Sequence, residues 1–227
     1  MKENPNNQYT NTPITILFDL DGTLIDSTEA ILESFAQTFE LLGGEVPEAG
    51  RIKEQIGYPL ADMYRNLGIE EEKVEEYVHA YKEHYRQIHT RKTVLLPGAK
   101  EAVERAAAFA RLGIVTTKTG RYSRELLEHF GLMRYFDVLV GSEDVRRHKP
   151  HPEPILQALE RMGASKEGAW MIGDTCLDIR AAQAAGVEPL GLSCGYGEEE
   201  ALRACGARCF PDPLTAVEKI RSATVDA

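Results

Sequence analysis

Long apolar runs are missing from this chain of 227 residues, and none approaches the roughly 20 residues that cross a bilayer. A membrane-spanning helix is therefore not expected. Positive charge is scarce: 26 Lys and Arg stand against 36 Asp and Glu, a net charge of −10. Such a balance disfavours nucleic acid as a partner, because binding a phosphate backbone needs a basic face. Cysteine is sparse too, with only Cys176, Cys194, Cys205 and Cys209. Cys205 and Cys209 lie four apart, which suits one helix face or a metal clip. The C-x-x-C spacing of a zinc site is absent and no histidine is near, so reduced structural thiols are expected. The start, Met1 to Thr12, is polar and Asn-rich and lacks the apolar core of a signal peptide. It reads as a loose tail, and the cytoplasm is the expected compartment.

What remains is ordinary globular composition, 43% hydrophobic and 27% charged, in a length that suits one large domain or one domain plus a smaller one. Strands are expected at Ile14–Phe18, Leu112–Thr116, Phe136–Val140, Ala169–Ile172, Glu188–Leu192 and Ala207–Phe210. Helices are expected between them at Ala99–Arg111, Ser123–Phe130, Glu153–Met162 and Asp178–Ala185, three of which stop at a glycine. The alternation predicts parallel βαβ units in an α/β fold, a Rossmann-like doubly wound sheet that binds ligands beyond the carboxyl ends of its strands. Residues 27–93 break the rhythm, with no convincing strand. Thr28–Leu42 places Ile31, Phe35, Phe39 and Leu42 at helical steps. Glu70–His89 places Val74, Tyr77, Val78, Tyr81 and Tyr85 on one side, a face expected to pack internally. The expected organisation is an α/β core from 12–26 and 94–227, interrupted by a helical unit over 27–93. That unit could serve stability alone or act as a lid.

The chemistry concentrates at predicted strand ends. Asp19 and Asp21 follow the apolar run Ile14–Phe18, and the chain turns at Gly22. Two acids so placed can attack, move a proton and attract a hard divalent cation. Thr116, Thr117 and Lys118 end another strand with two hydroxyls and a cation. Lys149 sits in the proline-stiffened basic loop Arg146–Pro152, where it could be a fixed charge for phosphate or simply solvated. Asp174 and Asp178 end a third strand; Asp178 could instead cap the following helix.

Taken in order, these segments resemble the haloacid dehalogenase-like superfamily, in its branch similar to phosphoglycolate phosphatases. Asp19-Leu20-Asp21-Gly22-Thr23 fits the first family motif, Thr116 the second, Lys149-Pro150 the third, and Gly173-Asp174 with Asp178 the fourth; the likeness runs from about Thr12 to Ile220. The resemblance implies a helical cap over 27–93 and a phosphatase of small phosphorylated metabolites. Asp19 would be the nucleophile and Asp21 the general acid and base, oriented by Thr23. Leu20, Thr116, Thr117 and Lys149 would hold the phosphate. Mg²⁺ would be bound by Asp19, the Asp21 carbonyl and Asp174, with Asp178 in support. Arg51, Gly57 and Tyr58 would belong to the specificity loop, and Arg51, Lys53 and Arg65 could meet an anionic tail. Asp21 argues against dehalogenation, since dehalogenases lack that acid. Thr117 stands where phosphoglycolate phosphatases usually carry Asn, and Lys149–Pro154 also resembles related pyrophosphatases, so pyrophosphate hydrolysis is the same-fold alternative. A non-catalytic binding protein is the alternative of another class. Cys176, inside the fourth motif, reads as a filler thiol. A monomer or homodimer is expected.

Overall fold

The computed structural model describes residues 14–225, so the tail expected over Met1–Thr12 lies outside the described residues. In chain order the elements begin with β1 (Thr15–Phe18) and β2 (Ile25–Asp26). Four helices follow: α1 (Thr28–Leu42), α2 (Ala49–Lys53), α3 (Leu60–Asn66) and α4 (Glu71–Ile88). Next come β3 (Val94–Leu95), α5 (Ala99–Ala106), β4 (Arg111–Val115), α6 (Gly120–His129) and β5 (Phe136–Val140). The chain closes with α7 (Glu153–Met162), β6 (Ala169–Gly173), α8 (Cys176–Ala185), β7 (Glu188–Leu192), α9 (Glu199–Ala204), β8 (Arg208–Phe210) and α10 (Pro213–Val225).

Six strands form one parallel sheet in the order β5-β4-β1-β6-β7-β8, and β2 and β3 pair antiparallel beside it. Every residue of β1 is buried, as a strand covered on both faces must be. Its side chains alternate between two cores: Ile16 and Phe18 pack with Ile114, Leu126 and Val217, while Leu17 packs with Ile155, Leu159 and Met171. From β1 the chain builds outward to β4 and β5 on one side and to β6, β7 and β8 on the other. The carboxyl end of β1 therefore faces the place where strand order reverses, the usual ligand site of such sheets.

Two helices end as their sequence predicts, with Gly163 and Gly186 taking the left-handed conformation after α7 and α8. The helix expected over Ala99–Arg111 stops at Ala106 instead. Its last residues are claimed by the sheet: the Arg111 amide donates to Ile14 O and its guanidinium reaches Asp137 and Met162 O. Tertiary pairing here overrides the helix propensity of an alanine-rich run.

Helices α1 to α4 enclose a core of their own. Phe35, Phe39, Tyr64, Tyr77, Tyr81 and Tyr85 are buried and meet ring to ring, with Tyr81 and Tyr85 stacked at 5.3 Å. The tyrosine face of α4 thus packs inward. No helix among the described residues is long and apolar enough to cross a membrane.

Candidate active site

The first acid pair splits immediately beyond β1. The Asp19 amide donates to Ile172 O at 2.9 Å, so Asp19 continues the ladder between β1 and β6, and its carboxylate is buried. Gly22 then turns the chain at φ 79°. A Cβ there would lie 2.2 Å from Asp174 Oδ2, so glycine is needed for both conformation and close approach. The turn sends the Asp21 side chain outward, where Ser27 Oγ donates to Asp21 Oδ1 and the Lys118 ammonium lies 3.2 Å from Oδ2.

The other strand ends close around Asp19. Lys149 donates to Val115 O at 3.1 Å and to Asp178 Oδ1 at 2.5 Å, and its ammonium lies 2.9 Å from Asp19 Oδ1. Asp19 Oδ1 is buried, and this ion pair is its one close polar contact. Asp178 is not the N-cap of α8. Thr175 holds that position, and Asp178 Oδ2 accepts from its amide and hydroxyl in a capping box. Asp174 accepts from Thr23 Oγ1 at 3.1 Å and from the Tyr196 amide at 2.8 Å. Thr23 therefore orients Asp174, whereas Asp21 is held by Ser27 and Lys118, because the turn at Gly22 places Thr23 under the β6 end rather than beside Asp21. Tyr196 and Gly195, whose Cβ would meet Asp174 at 2.3 Å, escaped the sequence reading. Only the Gly-Tyr-Gly run at 195–197 hinted at a close approach.

Asp19, Asp174 and Asp178 each offer a carboxylate oxygen, and the three lie within 4.8 Å of one another. Burial pushes the Asp19 carboxyl up to about 7, opposed by Lys149 and reinforced by Asp178. Burial, then Asp178 and Asp19, hold Asp174 well above the usual carboxylate range. Burial alone would depress Lys149, but Asp178 and then Asp19 carry it above the usual lysine range. Three buried carboxylates against one ammonium leave negative charge uncompensated. That set of three converging carboxylate oxygens fits a hard divalent cation such as Mg²⁺.

Thr116 is buried at the end of β4, and its Oγ1 accepts from the Lys118 amide at 3.2 Å. Thr117 Oγ1 donates to Gly57 O at 2.9 Å, and the Lys118 ammonium donates to Tyr85 Oη at 2.9 Å. The strand end at β4 is thereby tied to the helical layer. Leu20 is buried beside the turn. Gly57 and Tyr58 line a cavity between the layers, together with Asp21. Arg51 does not line it, and Arg65 is exposed and paired with Asp62 and Glu71.

A profile of the haloacid dehalogenase-like hydrolases matches residues 16–192. The chain belongs to that family. It is 40% identical over 77% of its length to the pyrophosphatase PpaX of Halalkalibacterium halodurans, of which it covers 80%. It is 33% identical over 80% of its length to the phosphoglycolate phosphatase of Aquifex aeolicus, of which it covers 85%. A haloacid dehalogenase-like hydrolase from Bacteroides fragilis superimposes with a TM-score of 0.85 at 27% identity, over 90% of this chain and all of that one. The chain is a phosphatase of the haloacid dehalogenase-like family, with the family's α/β fold.

The thiols depart from expectation. Cys176, first residue of α8, is bonded to Cys205 at the end of α9, with Cα atoms 6.0 Å apart. Cys194 and Cys209 are free. The close spacing of Cys205 and Cys209 was misleading, because β7 brings α8 and α9 together and pairs cysteines 29 residues apart. Closing a loop of that length stabilises by about 3–4 kcal/mol in the chain-entropy account. Cys205→Ser should lower the unfolding free energy by roughly 2–4 kcal/mol in a urea titration. An unchanged midpoint would show that the link contributes nothing.

Proposed function

We propose that this phosphatase hydrolyses small phosphate monoesters through an aspartyl-phosphate on Asp19. The observation that carries the reading is the division of the two acids. Asp19 is buried among Lys149, Asp174 and Asp178, while Asp21, two residues on, faces the cavity. One carboxylate is held for attack and the other is placed to exchange a proton.

In the first step an Asp19 carboxylate oxygen attacks phosphorus, and the bond from phosphorus to the ester oxygen breaks. The proton on Asp21 passes to that departing oxygen. In the second step Asp21, now a carboxylate, takes a proton from water as the water oxygen attacks the phosphoryl group. The bond from phosphorus to Asp19 breaks, which releases orthophosphate and restores Asp19. Lys149 sets a positive charge beside Asp19 Oδ1, Thr116 offers its hydroxyl, and the Leu20 and Thr117 amides supply further donors to the phosphoryl oxygens. A divalent cation held by Asp19, Asp174 and Asp178, with the Asp21 carbonyl, would screen the approach of two anions. Their repulsion near 4 Å is about 4 kcal/mol at an effective dielectric of 20. The helices α1 to α4 act as a cap that shuts water from the cavity, with Thr117 to Gly57 and Lys118 to Tyr85 as its latches on the core.

The test is phosphate release with Mg²⁺ across small phosphoesters, pyrophosphate and nucleotides. Turnover of at least one monoester is expected. Binding of metal without release from any of them would sink the reading.

A further inference from the structure

The cavity into which Asp21 faces holds about 290 Å³, at the lower edge of the roughly 300–1,000 Å³ usual for organic ligands. Its walls come from the helical layer and are apolar: Ile31, Ile56, Leu60, Met63, Val78 and Tyr81. The polar groups sit at the base and rim. At the base, Lys118 is already engaged by Asp21 at 3.2 Å and Tyr85 Oη at 2.9 Å. At the rim, the Glu143 carboxylate accepts from the Gly120 amide, and His148 is hydrogen-bonded to Ser142 O. Two lysines, Lys118 and Lys82, face two carboxylates, Asp21 and Glu143, so the cavity has no surplus of positive charge. The basic residues that could meet an anionic tail lie elsewhere. Arg65 is tied to Asp62 and Glu71, and Lys53 lines a separate recess with Asp26 and Tyr196.

If Asp21 protonates the departing oxygen, the leaving group must occupy this cavity. An inorganic phosphate there would exchange water for isoleucine, methionine and tyrosine without a matching cation, a costly desolvation. It would also leave much of the volume unfilled. An apolar group would bury hydrocarbon against hydrocarbon and be rewarded for each methylene.

We infer that this cavity takes a hydrophobic, ring-sized organic group, so that the preferred substrates are phosphate monoesters of apolar alcohols and not pyrophosphate. The inference rests on the phosphatase reading above and narrows its substrate class. It runs against the pyrophosphatase activity named for the relative from Halalkalibacterium halodurans.

The test compares benzyl phosphate, glycerol 3-phosphate and pyrophosphate on the full chain with Mg²⁺. The two esters both release primary alcohols, so their difference reads the cavity more than leaving-group chemistry. For benzyl phosphate kcat/KM is expected to exceed both others by about 100-fold, the discrimination an apolar pocket can supply. Pyrophosphate or glycerol 3-phosphate turned over as well as benzyl phosphate would overturn the inference while leaving the phosphatase reading in place. No release from any of the three, nor from the wider panel of phosphoesters and nucleotides, would instead sink that reading. Val78 is half-buried on the α4 wall. Val78→Asp should shrink the ratio of benzyl to glycerol phosphate kcat/KM by about tenfold, chiefly through the KM for benzyl phosphate. Val78→Leu should restore the ratio. A ratio unmoved by Val78→Asp, and by Leu60→Asn on α3 if the first variant does not fold, would also overturn the inference.

Discussion

Asp19→Asn is expected to abolish phosphate release, by on the order of 10⁴-fold or more, while leaving a cooperatively folded protein. The amide keeps the shape of the carboxylate but cannot attack phosphorus. The same change should raise stability without metal near pH 8. Burial holds the Asp19 carboxyl near 7, so above that pH the wild-type chain carries an ionised group in a site that disfavours it. The amide removes that charge, and Lys149 keeps Asp178 as a partner at 2.5 Å. Activity and melting temperature should therefore move in opposite directions, the latter by a few degrees. Phosphate release within tenfold of wild type would remove Asp19 as nucleophile. A lower melting temperature at pH 8 would show that the carboxylate is a structural ion-pair partner first.

Much of the frame behind that prediction was legible in the residues. Buried parallel strands need continuous apolar runs, and the runs ending before Asp19, at Thr116 and before Asp174 fall on β1, β4 and β6 within a residue at each end. Alternating strands and helices then dictate that the three ends meet at one edge of the sheet. The partners of each side chain were not legible, because partner choice depends on where a turn points. Thr23 lies nearer to Asp21 in sequence but donates to Asp174, 151 residues away. Ser27 and Lys118, which had no assigned part, hold Asp21. Helix α10 was missed although its start is signalled: Asp212 precedes Pro213 and accepts from the Thr215 amide and hydroxyl. Its residues Ala216, Val217 and Ile220 are fully buried against the sheet.

The hydrogen-bonded contact between layers links Asp21 to the helical layer. Lys118 bridges Asp21 and Tyr85 Oη, and Tyr85 stacks on Tyr81 within the aromatic core of α1 to α4. A group entering the cavity meets those rings and the acid at its base together. Occupancy of the cavity and the setting of Asp21 are therefore joined through one lysine. A leaving group that fills the apolar walls would settle with its ester oxygen toward Asp21.

Without divalent metal, stability should fall as pH rises from about 4 to 7, and millimolar Mg²⁺ should reverse the fall most strongly at the upper end. Asp19 has a native value of about 7 against an unfolded value near 3.9, so across that window the native state binds more protons than the unfolded state. Stability must then decline with pH, and the contribution is lost once pH passes the native value. Asp174 is raised by burial and adds to the decline in the same direction. Lys149 is shifted upward and stays charged throughout, so it does not offset the trend. A cation that binds the ionised carboxylates competes with their protons and stabilises by RT ln(1 + [L]/Kd), about 2.7 kcal/mol at a hundredfold excess over Kd. For a chain of this size that is roughly 5–10 °C in melting temperature. Melts at about pH 5.5 and pH 8, each with and without Mg²⁺, give the comparison. The increment should be largest at pH 8 and small at pH 5.5, and Asp174→Asn should abolish most of it. An equal increment at both pH values would mean that the cation binds elsewhere than on the protonated cluster of Asp19, Asp174 and Asp178.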